Sequence, residues 1–261
     1  MANGLIRGLI AKGTKPENIW ASDLDDSKLQ LLAQDCKIQT GSNTNIASKA
    51  NVIVLAVKPQ VMRDACKALA ADLSDRKVLL VSIAAGITTA HLESWFGDSA
   101  AIVRCMPNTP ALVGMGASGL FANAKVTEEQ KQLAQEVIST VGFATWVDAD
   151  SDIDIVTAIS GSGPAYFFLF MEAMQATAKE MGLSENLARA LTYHTAAGAA
   201  ALAQYSEDDI ATLRRNVTSP GGTTEQAILQ FEEGNLRGLV TKALQAARTR
   251  SVELAEETDS T

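Results

Sequence analysis

The stretch NVIVLAVKPQ, residues 51–60, decides the fold. NVIVLAV is apolar along nearly all of its length, is of strand length, and stops at Lys58-Pro59. A strand with one wet face alternates polar and apolar residues, whereas one covered on both faces does not. Pro59 then opens a helix at its first turn, where a missing N–H costs nothing. A buried strand running straight into a helix is the repeating unit of a doubly wound α/β sheet.

The same unit recurs on both sides. Upstream, NIWAS (18–22) reads as a short strand, followed by a helix over 28–35. Downstream come a buried strand KVLLVSI (77–83), a helix over 89–96 with Gly97 as its cap, and strands at 101–104 and 117–122. Thr127 and Gln130 have capping-box spacing for a helix running to 141, and 144–147 closes the region. The pattern predicts a parallel sheet covered on both faces, a nucleotide-binding architecture. After about residue 150 the strands stop. Helices are expected over 163–181, 184–205, 208–216, 224–233 and 236–256, with a frayed tail EETDST at 256–261. Two domains follow, 1–150 and 151–261. Residues 167–203 are apolar almost all round, so these helices need a core or another subunit, and an obligate dimer is expected. The opening MANGLIRGLIAKG reads as an amphipathic helix with Leu5, Ile6, Leu9 and Ile10 near one face and Gly13 as its stop.

Composition narrows the function. The 261 residues carry a net charge of −8 with no basic stripe, which argues against nucleic acid. No unbroken apolar stretch reaches the roughly 20 residues of a membrane span, so no membrane is expected as a partner. The chain start lacks the features of a signal peptide. Cys36, Cys66 and Cys105 lie far apart without CxxC spacing, as small buried residues of a reduced, cytoplasmic protein. His91 and His194 have no obvious partners for a zinc site or a Ser-His-Asp triad, so no metal is expected.

In open parallel sheets ligands bind beyond the carboxyl ends of the strands. Asp23 follows the first strand, either as an acceptor for the adenosine ribose hydroxyls or as a helix cap. After NVIVLAV comes Lys58-Pro59-Gln60, and after KVLLVSI comes Ala84-Ala85-Gly86, small enough for a ring or pyrophosphate to approach, or simply a tight loop. Met106-Pro107-Asn108-Thr109-Pro110 is stiff and polar, a ligand loop or a structural turn. Ser160-Gly161-Ser162-Gly163-Pro164 leads into a helix, as an anion site or a hinge. Ser219-Pro220-Gly221-Gly222-Thr223-Thr224 gathers hydroxyls and N–H groups at another helix start, as a carboxylate cradle or a capped turn.

Together, LAVKPQ (55–60), VSIAAGI (81–87), RCMPNTPA (104–111), SGSGPAYFF (160–168) and NVTSPGGTTEQA (216–227) resemble Δ1-pyrroline-5-carboxylate reductases, in that family's order and spacing. The resemblance covers essentially the whole chain. It implies a Rossmann-type N-terminal domain, an all-α C-terminal dimerisation domain, and assembly as a homodimer or a pentamer of dimers. It implies reduction of 1-pyrroline-5-carboxylate to L-proline with NADPH or NADH. By motif, Asn43, Ala56, Val57, Lys58, Pro59, Ala84 and Ala85 should line the cofactor site, with Cys105, Asn108 and Thr109 nearby. Asn216 should reach the cofactor, and Ser219, Thr223 and Thr224 should hold the substrate carboxylate. Glu207 matches an acidic position near the substrate ring, so Thr224 and Glu207 are the expected catalytic pair.

The resemblance also places Met1-Ala2 at the end of a G-x-G-N-M-A loop. Ala2 then becomes the third small residue of the dinucleotide fingerprint, and the first strand and loop glycines are expected upstream of an internal methionine. Two other readings remain. A β-hydroxyacid dehydrogenase shares this domain plan, but as a family it places a catalytic lysine on the interdomain helix, and 164–178 holds neither Lys nor His. A non-catalytic dimeric remnant would keep the fold and lose the cofactor.

Overall fold

The structure, a computed structural model, describes residues 1–73 and 76–259. The chain forms two compact units: Met1–Ser162 with Ala246–Thr261, and Gly163–Gln245.

The first unit is built on strands. The main sheet has the order β3 (Val52–Leu55), β4 (Leu79–Ser82), β5 (Ala101–Met106), β6 (Gly116–Ala122), β7 (Gly142–Trp146). A separate parallel pair joins β1 (Trp20–Ala21) to β2 (Gln39–Thr40). The motif NVIVLAVKPQ is β3 followed by helix α4 (Pro59–Leu73), which turns Met62, Cys66, Leu69 and Leu73 inward every three or four residues. Strand β4 is buried at all four positions, as a strand with a neighbour on each side and helices over both faces must be. Helix α5 (Thr89–Phe96) begins at Thr88 and ends at Gly97, whose φ of 93° favours glycine. Helix α6 (Glu128–Ser139) starts with the expected Thr127–Gln130 capping box.

The sheet departs from expectation at one pairing. Strands β5 and β6 are antiparallel, while the other pairs are parallel. A parallel return needs a crossover of about a dozen or more residues. The path from Met106 to Gly116 holds only a short 3₁₀ turn, Thr109–Val113, so the chain comes straight back. Propensity also missed β2 and helix α3 (Asn43–Lys49), which are short and polar. Ser42 caps α3, and Lys49 Nζ sits 3.8 Å over the Trp20 ring, holding α3 against β1.

The opening segment is helix α1 (Ala2–Ala11), broken where Gly13 takes a φ of 98°. Leu5 enters the main core beside Leu79, Val81 and Val103. Ile6 instead packs with Ile19, Cys36 and Ile38 in a smaller cluster that Leu9 and Ile10 border. Helix α2 (Asp26–Cys36) supplies Cys36 to that cluster.

The second unit is helical throughout: α8 (Gly163–Glu180), α9 (Glu185–Tyr205), α10 (Ile210–Asn216), α11 (Thr223–Glu233) and the first turns of α12 (Leu236–Asp259). Helix α12 runs through most of the expected frayed tail, and residues 260 and 261 lie outside the described residues. Phe167, Phe168, Leu169 and Phe170 are exposed, although the Phe170 and Phe231 rings meet at 5.8 Å.

Helix α7 (Asp152–Val156) and the π turn Thr157–Gly161 precede α8. Through that turn, Asp152–Glu180 becomes one helical stretch, long and apolar enough by length and composition alone to cross a membrane. Asp152, Asp154 and Glu172 interrupt it, so no unbroken apolar run of about 20 residues lies within it. Ser-Gly-Ser-Gly reads as an interruption in the sequence, but the wide turn carries the helix through it.

Candidate functional site

Within the first unit the expected ligand-facing residues gather after the strands. Ala56, Val57 and Lys58 follow β3 and are exposed, and Pro59 is the first residue of α4. Ala84 and Ala85 follow β4, Ala84 buried and Ala85 half-buried. Gly86 makes room for a neighbouring helix. Its φ is 74°, and a Cβ there would meet Leu254 Cβ at 3.1 Å, so its small size admits helix α12. Ala2 stands exposed at the start of α1, where no side chain caps the helix. Free N–H groups at a helix start suit a pyrophosphate.

After β1 the alternatives for Asp23 separate. The cap of α2 is Asp25, which accepts from Lys28 N at 3.2 Å. Asp23 Oδ1 accepts from Asp25 N at 2.9 Å, an Asx turn that holds the exposed Asp23 carboxylate just beyond the strand. The Ser27 hydroxyl and the Lys28 ammonium hold the Asp25 carboxyl well below its usual range. Ser22 Oγ donates to Asn43 Oδ1 at 2.5 Å, which ties the residue before Asp23 to the head of α3.

The loop after β5 is rigid. Thr109 is exposed, whereas Asn108 is buried and its amide is engaged on both sides. Cys105 points away from the loop into the core and is only 1% exposed, so it can offer a ligand its backbone alone. Burial pushes its thiol up to about 12, against a weaker opposite pull from Ser118. Burial does the same to Cys66. His91 is likewise structural: Nδ1 accepts from Thr88 N at 3.2 Å, and its ring stacks on Trp95. His194 is exposed on α9. Among the described residues no cluster of three or more His, Cys, Asp or Glu could hold a metal.

Arg104 was missed, although the sequence held a signal for it. A charged residue inside an apolar strand must be paired when buried. Arg104 is 1% exposed; its Nη1 donates to Asp150 Oδ2 at 2.6 Å and its Nη2 to Asp154 Oδ1 at 3.1 Å. Thr89 N and Oγ1 also donate to Asp150, and Ser251 Oγ donates to Asp154 at 2.8 Å. One guanidinium thus ties β5 to the start of α5, to α7 and to the end of α12. Its Nε is buried without a partner among the described residues, a remaining cost of placing the group inside.

In the second unit, Ser219, Thr223 and Thr224 surround the start of α11. Gly222 is its N-cap and provides no side-chain bond. Gly221, at φ 72°, donates its N–H to the Glu225 carboxylate at 2.7 Å, so this turn already accepts an oxyanion. The exposed hydroxyls of Ser219 and Thr223 and the half-buried one of Thr224 have no partner among the described residues. Asn216 ends α10 and donates weakly to Asp208 at 3.4 Å. Glu207 is exposed just before α10.

Comparison with known proteins gives this arrangement a family. Residues 150–254 match the family described as pyrroline-5-carboxylate reductase dimerisation. Residues 1–86 match the family described as NADP oxidoreductase coenzyme F420-dependent. A pyrroline-5-carboxylate reductase of Pseudomonas aeruginosa is 50% identical over 258 residues, which span 98% of this chain and 94% of that protein. The chain belongs to the pyrroline-5-carboxylate reductase family. The solved reductase of Coxiella burnetii superposes with a TM-score of 0.94 at 45% identity, over 97% of this chain and 94% of that one. That of Plasmodium falciparum, solved with NADP bound, gives 0.83 at 29% identity over 97% and 93%. A Rossmann-type unit and a helical dimerisation unit are therefore the fold.

Proposed function

We propose that this protein reduces 1-pyrroline-5-carboxylate to L-proline, using NADPH or NADH. The observation that carries the reading is the α11 turn: hydroxyls without a partner among the described residues, beside the Gly221 N–H that already holds the Glu225 carboxylate, on a chain of this family.

The cofactor fits the residues present. Asp23 and Asn43 would hold the adenosine ribose, the start of α1 at Ala2 the pyrophosphate, and Ala56 to Pro59 with Ala84 and Ala85 the remaining length. Thr109 and the backbone of Cys105 and Asn108 border the nicotinamide end, and Asn216 approaches it from a neighbouring subunit. When bound, the reduced nicotinamide supplies a hydride. The chain's own residues bind and orient. Ser219, Thr223 and Thr224 fix the substrate carboxylate, which sets the ring's position and lowers the entropic part of the barrier by several kcal/mol in favourable cases. The cyclic imine is electrophilic once protonated, so no polarising metal is required. Glu207 stands as the carboxylate that favours the protonated nitrogen.

The functional modules divide near residue 150, 1–150 for cofactor and 151–261 for substrate and assembly, as the dimerisation match from 150 supports. The exposed apolar stretch Phe167–Phe170 supports a homodimer, alone or within a pentamer of dimers, over membrane insertion. Three free, buried cysteines support a reducing, cytoplasmic setting. Calorimetric titration with NADPH and NADH, followed by steady-state reduction of the imine with each, tests the reading. Tight binding of one cofactor and turnover are expected; failure to bind either would overturn it.

A further inference from the structure

Asn108 stands where a cofactor contact is expected, yet its amide points elsewhere. It is 8% exposed. Its Oδ1 accepts from Ala117 N at 2.9 Å, and its Nδ2 donates to Ser160 O at 3.0 Å. Ser160 lies in the π turn Thr157–Gly161, marked by the long-range bond from Ser162 N to Thr157 O at 2.8 Å. A π turn takes an extra residue into one helical turn, and such turns concentrate at functional sites. The side chains of this turn bond within the helix: Thr157 Oγ1 to Ile153 O and Ser160 Oγ to Val156 O. Its link to the β5 loop is therefore made from the loop side.

A second contact presses on the same turn. A Cβ on Gly161 would lie 2.5 Å from Met106 Cε. Met106 ends β5, two residues before Asn108. The loop after β5 thus holds the π turn by a hydrogen bond at Ser160 and by close packing at Gly161. No other donor from the loop reaches Ser160 O among the described residues.

Resting on the reductase reading above, we infer that Asn108 is a positioning residue for the reaction. It fixes the turn carrying Ser160, Gly161 and Ser162 against the loop that borders the nicotinamide, and it acts through that turn instead of holding the cofactor with its side chain. The residue is neither a catalytic acid nor a cofactor ligand.

The test uses the intact oligomer. For Asn108→Ala, kcat should fall roughly ten- to hundredfold, the equivalent of one or two lost hydrogen bonds. The dissociation constant for NADPH or NADH, measured without substrate, should stay within about twofold, since no cofactor bond is removed. Amide exchange in the peptide covering 157–167 should quicken about tenfold in the variant while exchange in β3 and β4 stays unchanged. If cofactor affinity falls in step with kcat in Asn108→Ala, the side chain holds the cofactor and the inference fails. Unchanged kcat, or unchanged exchange at 157–167, also overturns it. A wild-type enzyme that binds neither cofactor nor imine overturns instead the functional reading on which the inference rests.

Discussion

Strand β4 has every side chain buried, while helix α8 buries only its first residue, Gly163. Both are strongly apolar. In the first unit, Leu79 to Ser82 find neighbours within the same chain, because β3 and β5 flank them and helices cover both faces. In the second unit, Phe167 and Phe168 remain 68% and 61% exposed. Exposed apolar patches of that kind mark surfaces for other molecules. One unit is thus stabilised by its own fold, the other by association. Changes in the two units should therefore be read by different instruments.

The largest effect should come from the open face. Replacing Phe167 and Phe168 together by Asp puts two charges where apolar contact is needed. Association should weaken by at least ~10⁴-fold, about 5.5 kcal/mol, as for paired central anchors in an interface. Light scattering coupled to size exclusion should show the mass fall to 27.6 kDa. An unchanged mass would place the subunit contact on another face.

The closed unit should respond to its buried hub. Arg104→Met removes the guanidinium and leaves Asp150 and Asp154 facing each other inside the unit. Breaking one side of a buried charge pair costs about 3–5 kcal/mol. Urea unfolding should report that loss while the oligomer mass stays unchanged. A cost below about 1 kcal/mol would mean that water reaches the cluster and screens it.

A smaller and more local effect is expected at the α11 turn. Thr224→Ala removes one hydroxyl from the proposed carboxylate cradle. The Michaelis constant for the imine should rise roughly tenfold, about 1–2 kcal/mol, as for a hydrogen bond to a charged group. Cofactor affinity should not change, since the proposed role of the turn is toward the substrate alone. An unchanged Michaelis constant would remove Thr224 from the cradle.

What the sequence disclosed follows the same division. The buried strands were legible because burial on both faces leaves an unbroken apolar run, and α5 and α6 because their caps are local chemistry. The reversal at β6 depended on the length of a connection, which periodicity does not record. The two-residue strands β1 and β2 are too short for any pattern, and α3 is polar. Motif spacing led to Ala56 to Pro59, which stand just after β3, and to Thr223 and Thr224, which open α11. It could not say which way a side chain faces. Cys105 turns inward, Gly86 makes room for Leu254, and Asn108 spends its amide on two backbone groups. Arg104 was visible only as an anomaly, because its partners lie 46 and 50 residues away.

The smallest expected effect separates the units by titration. Cys36, Cys66 and Cys105 all lie in the first unit, and the second contains none. Burial raises the Cys105 thiol from 9.0 to about 12. An unfolded chain therefore releases this proton above about pH 9, while the folded one keeps it. Stability from the buried neutral thiol is fully present below pH 9 and is lost as pH rises from there toward 12, by at most about 1.4 kcal/mol per pH unit. Urea unfolding between about pH 9 and 10.5 should give a steeper decline for the wild type than for Cys105→Ala. Every other ionisable group is common to both proteins, so the difference in slope isolates the thiol. Equal slopes would mean that the β5 core admits water at Cys105, and the first unit would then be less closed than its buried strands indicate.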